Sequence, residues 1–176
     1  MKTSIALIGF MGAGKTAVGR LLAERLGKEF IELDALIEKK AGKPIPAIFR
    51  EEGEIGFREL EIEVTREVAG KKNAVIACGG GIVLNKINID RLRRESIIVY
   101  LTASPAVILK RTEGDIGGRP LLAVADRAKQ VRELLKFRQP YYERAADITV
   151  NTSRRKPDTV VKTIIEKLMA YEGRGE

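Results

Sequence analysis

Residues 9–16 read Gly-Phe-Met-Gly-Ala-Gly-Lys-Thr and match the pattern Gly-x-x-x-x-Gly-Lys-[Ser/Thr]. This pattern is typical of loops that bind the phosphates of a nucleoside triphosphate. Its glycines let backbone N–H groups approach phosphate oxygens, and the helix that follows adds a positive dipole. Lys15 is expected to reach the β- and γ-phosphates, and Thr16 to offer its hydroxyl to Mg²⁺. The motif predicts a phosphotransferase; the alternative is a glycine-rich turn with a solvated lysine.

The residues around this motif favour the phosphate-binding interpretation. Residues 3–8 form a short apolar run that suits a buried parallel strand. After the motif, Val18, Leu22 and Leu26 follow at helical spacing, and Gly27 is placed to end the helix. The order is therefore strand, loop and helix, as the chemistry requires.

Four further strands are predicted at residues 30–33, 73–78, 97–101 and 148–150, each followed by a helical or glycine-rich segment. This alternation predicts an α/β fold with a parallel sheet, and the length of 176 residues predicts a single domain, residues 1–176. Ligands of such sheets lie beyond the carboxyl ends of the strands. The loop 9–16, Asp34 and the triplet 79–81 all follow strand ends, so we expect them to share a cleft.

Composition limits the possible functions. The formal net charge is +8, but the basic residues alternate with Glu, aromatic residues make up only 5%, and no nucleic-acid-binding signature is present. We therefore expect no nucleic-acid partner. One cysteine and no histidine exclude ordinary zinc sites and histidine acid–base catalysis. With no apolar run of membrane-spanning length and no signal-peptide pattern, we expect a cytoplasmic monomer that does not contact membranes.

Asp34 and Arg58 each have two interpretations. Asp34 precedes a helical segment, so it could cap that helix, or it could orient and deprotonate an acceptor hydroxyl. Arg58 lies beside an apolar stripe that includes Phe57, and its ordinary partner would be Glu54, four residues earlier. Both alternatives stay open at this point.

The remaining candidates are the glycine triplet, Arg138 and a second glycine-rich loop. Gly79, Gly80 and Gly81 could form a plain turn, yet their bare backbone favours close approach of a ligand. Arg138 falls on the apolar stripe of a helix predicted at about residues 126–142, where it needs a partner unless it snorkels to the surface. Residues 112–124, with Arg119, resemble a mobile lid that excludes water, although an ordinary solvated loop has the same composition.

Taken together, these residues make the chain similar to the shikimate kinase family nearly end to end. The matching segments are residues 9–16, 33–34, 37–38, 46–49, 53–54, 57–61, 79–81, 119–122, 138–142 and 154–157. The resemblance implies a kinase fold with a five-stranded parallel sheet of order 2-3-1-4-5 between helices. It also implies an acceptor-binding region at about residues 33–61.

The resemblance implies that ATP and Mg²⁺ are used to phosphorylate the 3-hydroxyl of shikimate, a step in chorismate and aromatic amino acid biosynthesis. Catalytic roles would fall to Lys15, Asp34 and Arg119. Nucleotide would be bound by Gly12, Ala13, Gly14, Lys15, Thr16, Ala17, Arg111, Arg119, Arg155 and Pro157. Shikimate would be bound by Asp34, Phe49, Phe57, Arg58, Gly79, Gly80, Gly81, Arg119 and Arg138, with the two arginines Arg58 and Arg138 facing its carboxylate.

Two positions depart from the family pattern. Glu32 stands where many members have an aspartate that reaches Mg²⁺ through water, and Ala77-Cys78 stands where Thr or Ser is frequent. The alternatives are another small-molecule kinase, acting on gluconate or a nucleoside monophosphate, and a noncatalytic nucleotide-binding module. The latter leaves Lys15, Thr16 and Arg119 unexplained.

Overall fold

The computed structural model describes residues 1–114, 119–122 and 125–173. Its centre is a sheet of five parallel strands in the order β2-β3-β1-β4-β5, which confirms the expected topology. The strands are β1 Ser4–Ile8, β2 Glu29–Glu32, β3 Ala74–Ala77, β4 Ser96–Thr102 and β5 Ile148–Asn151.

Helices cover both faces of the sheet. They are α1 Lys15–Leu26, α2 Leu33–Ala41, α3 Ile45–Val68, α4 Lys86–Leu92, α5 Pro105–Thr112, α6 Arg127–Ala145 and α7 Pro157–Glu172, with short 3₁₀ segments at Ile82–Leu84 and Pro120–Leu122. Side chains of β1 alternate between the two faces. Ile5 and Leu7 pack with α1 and α7, whereas Ala6 and Ile8 join the core with α3, α4 and α6. Both faces are therefore buried, as a parallel sheet requires.

Several predicted boundaries differ from the observed ones. Leu33 was predicted to end a strand but begins α2, because β2 pairs only with β3 and that pairing ends at Glu32 opposite Ala77. The helix predicted at residues 126–142 is α6, which extends to Ala145 and is capped by the Asp126 side chain.

Residues 42–44 join α2 to α3, and Gly53 breaks the helical backbone of α3 with φ 70° and ψ −178°. The lid predicted at residues 112–124 lies partly outside the described residues, which omit 115–118 and 123–124. No helix within the described ranges is both long enough and apolar enough to cross a bilayer.

Gly9 is the first residue of the phosphate-binding motif and directly follows β1, and we predict that Gly9→Ala strongly destabilises the fold. Gly9 has φ 152°, and an added Cβ would collide with the carbonyl oxygen of Leu101 in β4. We expect the free energy of unfolding in urea to fall by about 3 kcal/mol or more, from backbone strain and overpacking combined.

The matched control for this change is Gly42→Ala. Gly42 also has a positive φ, 69°, but an added Cβ would meet nothing within 4 Å. Its cost should be about 1 kcal/mol, from the left-handed backbone alone. Equal losses in the two variants would contradict the packing argument for Gly9.

Candidate active site

The phosphate-binding motif forms a loop between β1 and α1 with its backbone N–H groups free of side-chain caps. Gly14 is the N-cap of α1, with a left-handed φ of 96°, and no side chain caps this helix end. Lys15 curls back over the loop, and its Nζ donates to the carbonyls of Gly9 (2.6 Å) and Phe10 (3.0 Å). A helix N-terminus without a cap, next to an ammonium group, is a ready site for an anion.

The ammonium of Lys15 lies in an environment that disfavours its charge. The pKa of Lys15 is lowered to about 8, chiefly by burial; Arg119 and Arg138 act in the same direction, and the neighbouring Asp34 opposes them. A phosphate group placed beside Lys15 would counter this loss of hydration. The loop is therefore suited to bind an anion beside the Lys15 ammonium.

Thr16 and Glu32 bring two oxygen ligands together beside the loop. The Thr16 hydroxyl donates to Glu32 Oε1 at 2.8 Å, so the extra methylene of Glu32 still lets its carboxylate reach the threonine. Oxygen donors of this kind suit Mg²⁺, which usually keeps waters and binds one or two protein ligands plus phosphates. In the described part of the chain, no group of three or more His, Cys, Asp and Glu side chains could hold a metal. These two residues fit Mg²⁺ that is shared with a phosphate ligand.

Asp34 is the second residue of α2, whose N-cap position is occupied by Glu32, so the helix-capping interpretation is wrong. Its Oδ1 is buried and has no hydrogen-bond partner. Burial raises the pKa of this carboxyl, and Glu32 and Glu38 act in the same direction, whereas Lys15 opposes them. A buried carboxylate oxygen without a partner is costly to the fold. It is available to accept a proton from a ligand.

Arg58 forms ion pairs within α3, including one that the sequence did not reveal. Its Nη2 lies 3.3 Å from Glu54 Oε1, which confirms the partner expected from spacing. Its Nη1 donates to Glu61 Oε1 at 3.0 Å, and Glu61 is 1% exposed with Oε2 unsatisfied. Glu61 falls on the apolar stripe of α3, four residues after Phe57. The same signal singled out Arg138, and it could have identified Glu61.

Arg138 in α6 is 2% exposed, so the interpretation of a snorkelling arginine is wrong. Its Nε and Nη1 are buried without a hydrogen-bond partner, and its guanidinium lies 5.7 Å from the centre of the Phe10 ring. Tyr142, one turn later, donates its hydroxyl to the carbonyl of Gly80. A buried guanidinium with unused donors matches the planar geometry of a carboxylate.

The glycine triplet stands where side chains of both signs converge. A Cβ added to Gly79 would lie 3.0 Å from Glu61 Oε2 and 3.1 Å from Asp34 Oδ1. One added to Gly80 would lie 3.5 Å from Arg138 Nη1, and one added to Gly81 would lie 2.6 Å from Arg58 Cζ. The triplet is thus more than a turn, because only bare backbone leaves room for these four charged groups.

One cavity of about 730 Å³ joins the phosphate loop to this charged region. Most of the predicted site residues line it, namely Gly12, Gly14, Lys15, Thr16, Ala17, Glu32, Asp34, Phe49, Phe57, Arg58, Gly79, Gly80, Gly81, Arg111, Arg119 and Arg138. Phe49 and Phe57 pack together, with ring centres 4.9 Å apart. The lining also includes residues that the sequence did not assign, among them Met11, Glu38, Pro44, Ile45, Cys78 and Glu61.

Three predicted nucleotide-binding residues do not line this cavity. Ala13 is fully buried beneath the loop, Arg155 is exposed, and Pro157 is the first residue of α7. Arg111 and Arg119 do line the cavity, Arg111 at the end of α5 and Arg119 next to the Pro120–Leu122 segment. The cavity therefore brings together the predicted nucleotide-binding residues except Ala13, Arg155 and Pro157.

Comparison with known proteins decides the family. The family model for shikimate kinase matches residues 11–169. A shikimate kinase of Symbiobacterium thermophilum is 45% identical over 173 residues, which are 98% of this chain and 99% of that protein. The chain belongs to the shikimate kinase family.

Solved structures of the shikimate kinase family have the same fold. The enzyme of Acinetobacter baumannii in complex with shikimate superposes with a TM-score of 0.93 at 40% identity, covering 97% of this chain and 94% of that one. The enzyme of Bacteroides thetaiotaomicron gives a TM-score of 0.85 at 33% identity, with coverage of 95% and 98%. The family and fold expected from the sequence are therefore confirmed.

We predict that Asp34→Asn leaves the fold at least as stable as the parent at pH 7. The pKa of Asp34 is raised from 3.8, so the folded state holds the proton more tightly than the unfolded state. The parent must therefore lose stability as the pH rises from about 3.8 through the raised folded pKa, and asparagine avoids this loss. In thermal melts from pH 4 to pH 7, the melting temperature of the variant should rise relative to that of the parent as the pH rises.

Asp90→Asn is the matched control, because Asp90 is an exposed carboxylate in α4. Its melting difference from the parent should stay near zero over the same pH range. If Asp34→Asn instead melts several degrees below the parent at pH 7, the Asp34 charge stabilises the fold through Lys15, and the interpretation as a costly buried charge is wrong.

Proposed function

We propose that this chain transfers the γ-phosphoryl group of ATP to the 3-hydroxyl of shikimate, giving shikimate 3-phosphate and ADP. The observation that carries the proposal is the buried guanidinium of Arg138, whose Nε and Nη1 lack partners in the cavity that holds the phosphate loop. Membership of the shikimate kinase family supports the same acceptor.

The acceptor side binds the carboxylate and the ring of shikimate. Arg138 and Arg58 face the carboxylate, and Arg138 offers paired hydrogen bonds that a lysine cannot form. Phe49 and Phe57 wall the ring, and the triplet at Gly79, Gly80 and Gly81 admits it close to the backbone. Asp34 meets ring hydroxyls with its free Oδ1.

The phosphate side positions ATP and neutralises its charge. The N–H groups at the start of α1 and the Lys15 ammonium hold the phosphates, and Arg119 stabilises the charge on the transferring group. Arg111 lines the cavity on the nucleotide side. The family resemblance supports a place for the adenine between Arg111 and the segment that contains Arg155 and Pro157, although those two residues do not line the cavity. Thr16 and Glu32 would hold Mg²⁺, which would neutralise phosphate charge.

The transfer needs one proton acceptor, and Asp34 fills this role. The 3-hydroxyl oxygen forms a bond to the γ-phosphorus while the bond from that phosphorus to the bridging oxygen of ADP breaks, and the hydroxyl proton passes to the Asp34 carboxylate. The raised pKa of Asp34 makes it a stronger base than an exposed aspartate. Since the transition state is loose, orientation of the hydroxyl by Asp34 contributes as well.

We also propose that the protein acts as a monomer in the cytoplasm. Its single cysteine, Cys78, is buried, and burial raises the pKa of its thiol well above the ordinary range. Such a thiol is unreactive, which suits a reducing compartment and does not favour a link between chains.

A coupled assay of ADP release tests the function directly. Shikimate, gluconate and AMP are compared at equal concentrations with ATP and Mg²⁺, and the phosphorylated product is identified by mass. Of the three acceptors, we expect only shikimate to support turnover. Turnover with gluconate or AMP but not shikimate would assign another acceptor, and binding of ATP without turnover on any of them would make the chain a noncatalytic module.

We predict that Arg138→Lys raises the KM for shikimate by about tenfold or more while the KM for ATP changes less than twofold. Lysine keeps the positive charge but loses the paired hydrogen bonds to the carboxylate. The control is Arg132→Lys, an exposed position on the same helix, which should change neither constant. A shift in the KM for ATP alone would place Arg138 on the nucleotide side.

We predict that Lys15→Met lowers kcat by at least about 10²-fold, because it removes a charge aimed at the transferring phosphoryl group. The melting temperature at pH 7 should not fall, since burial already lowers the pKa of Lys15 to about 8 and its charge is costly to the fold. Exposed Lys86→Met serves as the control and should keep parental kcat. Near-normal turnover by Lys15→Met would remove the lysine from the mechanism.

A further inference from the structure

Thr152 lies directly after β5 and is 2% exposed, and neither the loop motif nor the family resemblance singled it out. Its hydroxyl is 2.8 Å from the carbonyl oxygen of Ala13 and 3.0 Å from that of Thr102. Arg111 Nη1 donates to the same hydroxyl at 3.1 Å. One buried side chain thus contacts the phosphate loop, the end of β4 and the end of α5.

The chemistry of a hydroxyl limits how these contacts are used. It has one hydrogen to donate and accepts through its lone pairs. Thr152 can therefore donate to the carbonyl of Ala13 or of Thr102 while it accepts from Arg111. Its backbone N–H already donates to the Thr102 carbonyl at 2.8 Å, so the hydroxyl hydrogen is best used on the shorter bond to Ala13.

Arg111 depends on this arrangement for its position. Besides the Thr152 hydroxyl, it donates to the carbonyl of Thr152 (Nη2, 2.8 Å) and to the carbonyl of Gly12 (Nη1, 3.1 Å). All three acceptors are uncharged, so the guanidinium is oriented by the geometry of its hydrogen bonds and not by an ion pair. Thr112, the last residue of α5, packs closely against Gly12, since a Cβ added to Gly12 would lie 2.9 Å from Thr112 Cγ2.

We propose that Thr152 is a positioning residue for nucleotide binding. Through its hydroxyl it fixes the position of Arg111 relative to the phosphate loop. The proposal rests on the proposed function, in which this cavity binds ATP between Arg111 and the loop. Thr152 itself does not line the cavity, so it acts through Arg111 and Ala13 rather than by contact with the ligand.

Calorimetric titration of ADP tests the proposal on three variants of the full chain. Thr152→Val keeps the branched shape and removes the hydroxyl, and Thr152→Ser keeps the hydroxyl. Thr65→Val is the matched control, because Thr65 is also buried and its hydroxyl donates to the Glu61 carbonyl within its own helix. Loss of one net hydrogen bond predicts a Kd for ADP raised roughly threefold to tenfold in Thr152→Val and within about twofold of the parent in the other two.

The affinity for shikimate separates positioning from general loosening. Thr152→Val should leave the Kd for shikimate within twofold of the parent and raise the KM for ATP in step with the Kd for ADP. An unchanged Kd for ADP, or an equal loss of shikimate affinity, would overturn the proposal. If valine crowds the Thr102 carbonyl and the variant does not fold, Thr152→Ala gives the same comparison.

The ADP titration needs no acceptor, so it reports on Thr152 even if the parent fails to phosphorylate shikimate. Failure of the proposed acceptor and failure of this inference would thus be distinguishable. Failure of the proposed acceptor would be seen as absent phosphorylation of shikimate by the parent. Failure of this inference would be seen only in the ratio of the Kd for ADP of the variant to that of the parent.

Discussion

Arg138 keeps a guanidinium at 2% exposure with two of its nitrogens unsatisfied, although taking an ion out of water costs several kcal/mol. The surrounding structure holds this group in place. Tyr142 stacks on Tyr100 of β4 at 5.0 Å and bonds to Gly80, and the Phe10 ring faces the guanidinium. The fold therefore spends stability to keep a set of donors ready for an anion. In the proposed function, the planar carboxylate of shikimate is the partner of this guanidinium.

The rest of the cavity is also lined by preorganised charged groups. Lys15 faces Asp34 on the phosphate side, and Arg58 pairs with Glu61 on the acceptor side, with the glycine triplet between them. Burial raises the pKa of Asp34 and of Glu61 and lowers that of Lys15, so each of these groups is costly to charge where it lies. Such a site needs little reorganisation when charge develops on a transferring phosphoryl group.

The parts of the molecule that depend on local sequence were predicted well. The strand, loop and helix around Lys15 follow from motif and periodicity, whereas the strand order came from family resemblance, because pairing between distant strands leaves no local pattern. Arg138 was detectable as a charge on an apolar stripe, and Glu61 carried the same signal in α3. Thr152 carried none, since its role depends on three elements that meet only in the folded chain.

The proposed function requires the acceptor's carboxylate to be held by the buried Arg138 together with the partly exposed Arg58. Calorimetric titration of the parent protein with shikimate and with its neutral carboxamide, which keeps the ring and all three hydroxyls, tests this most directly. Loss of charge-assisted hydrogen bonds predicts a Kd for the carboxamide about 10- to 100-fold higher. Equal affinities, within a factor of two, would contradict the claim and assign the acceptor's binding to its hydroxyls.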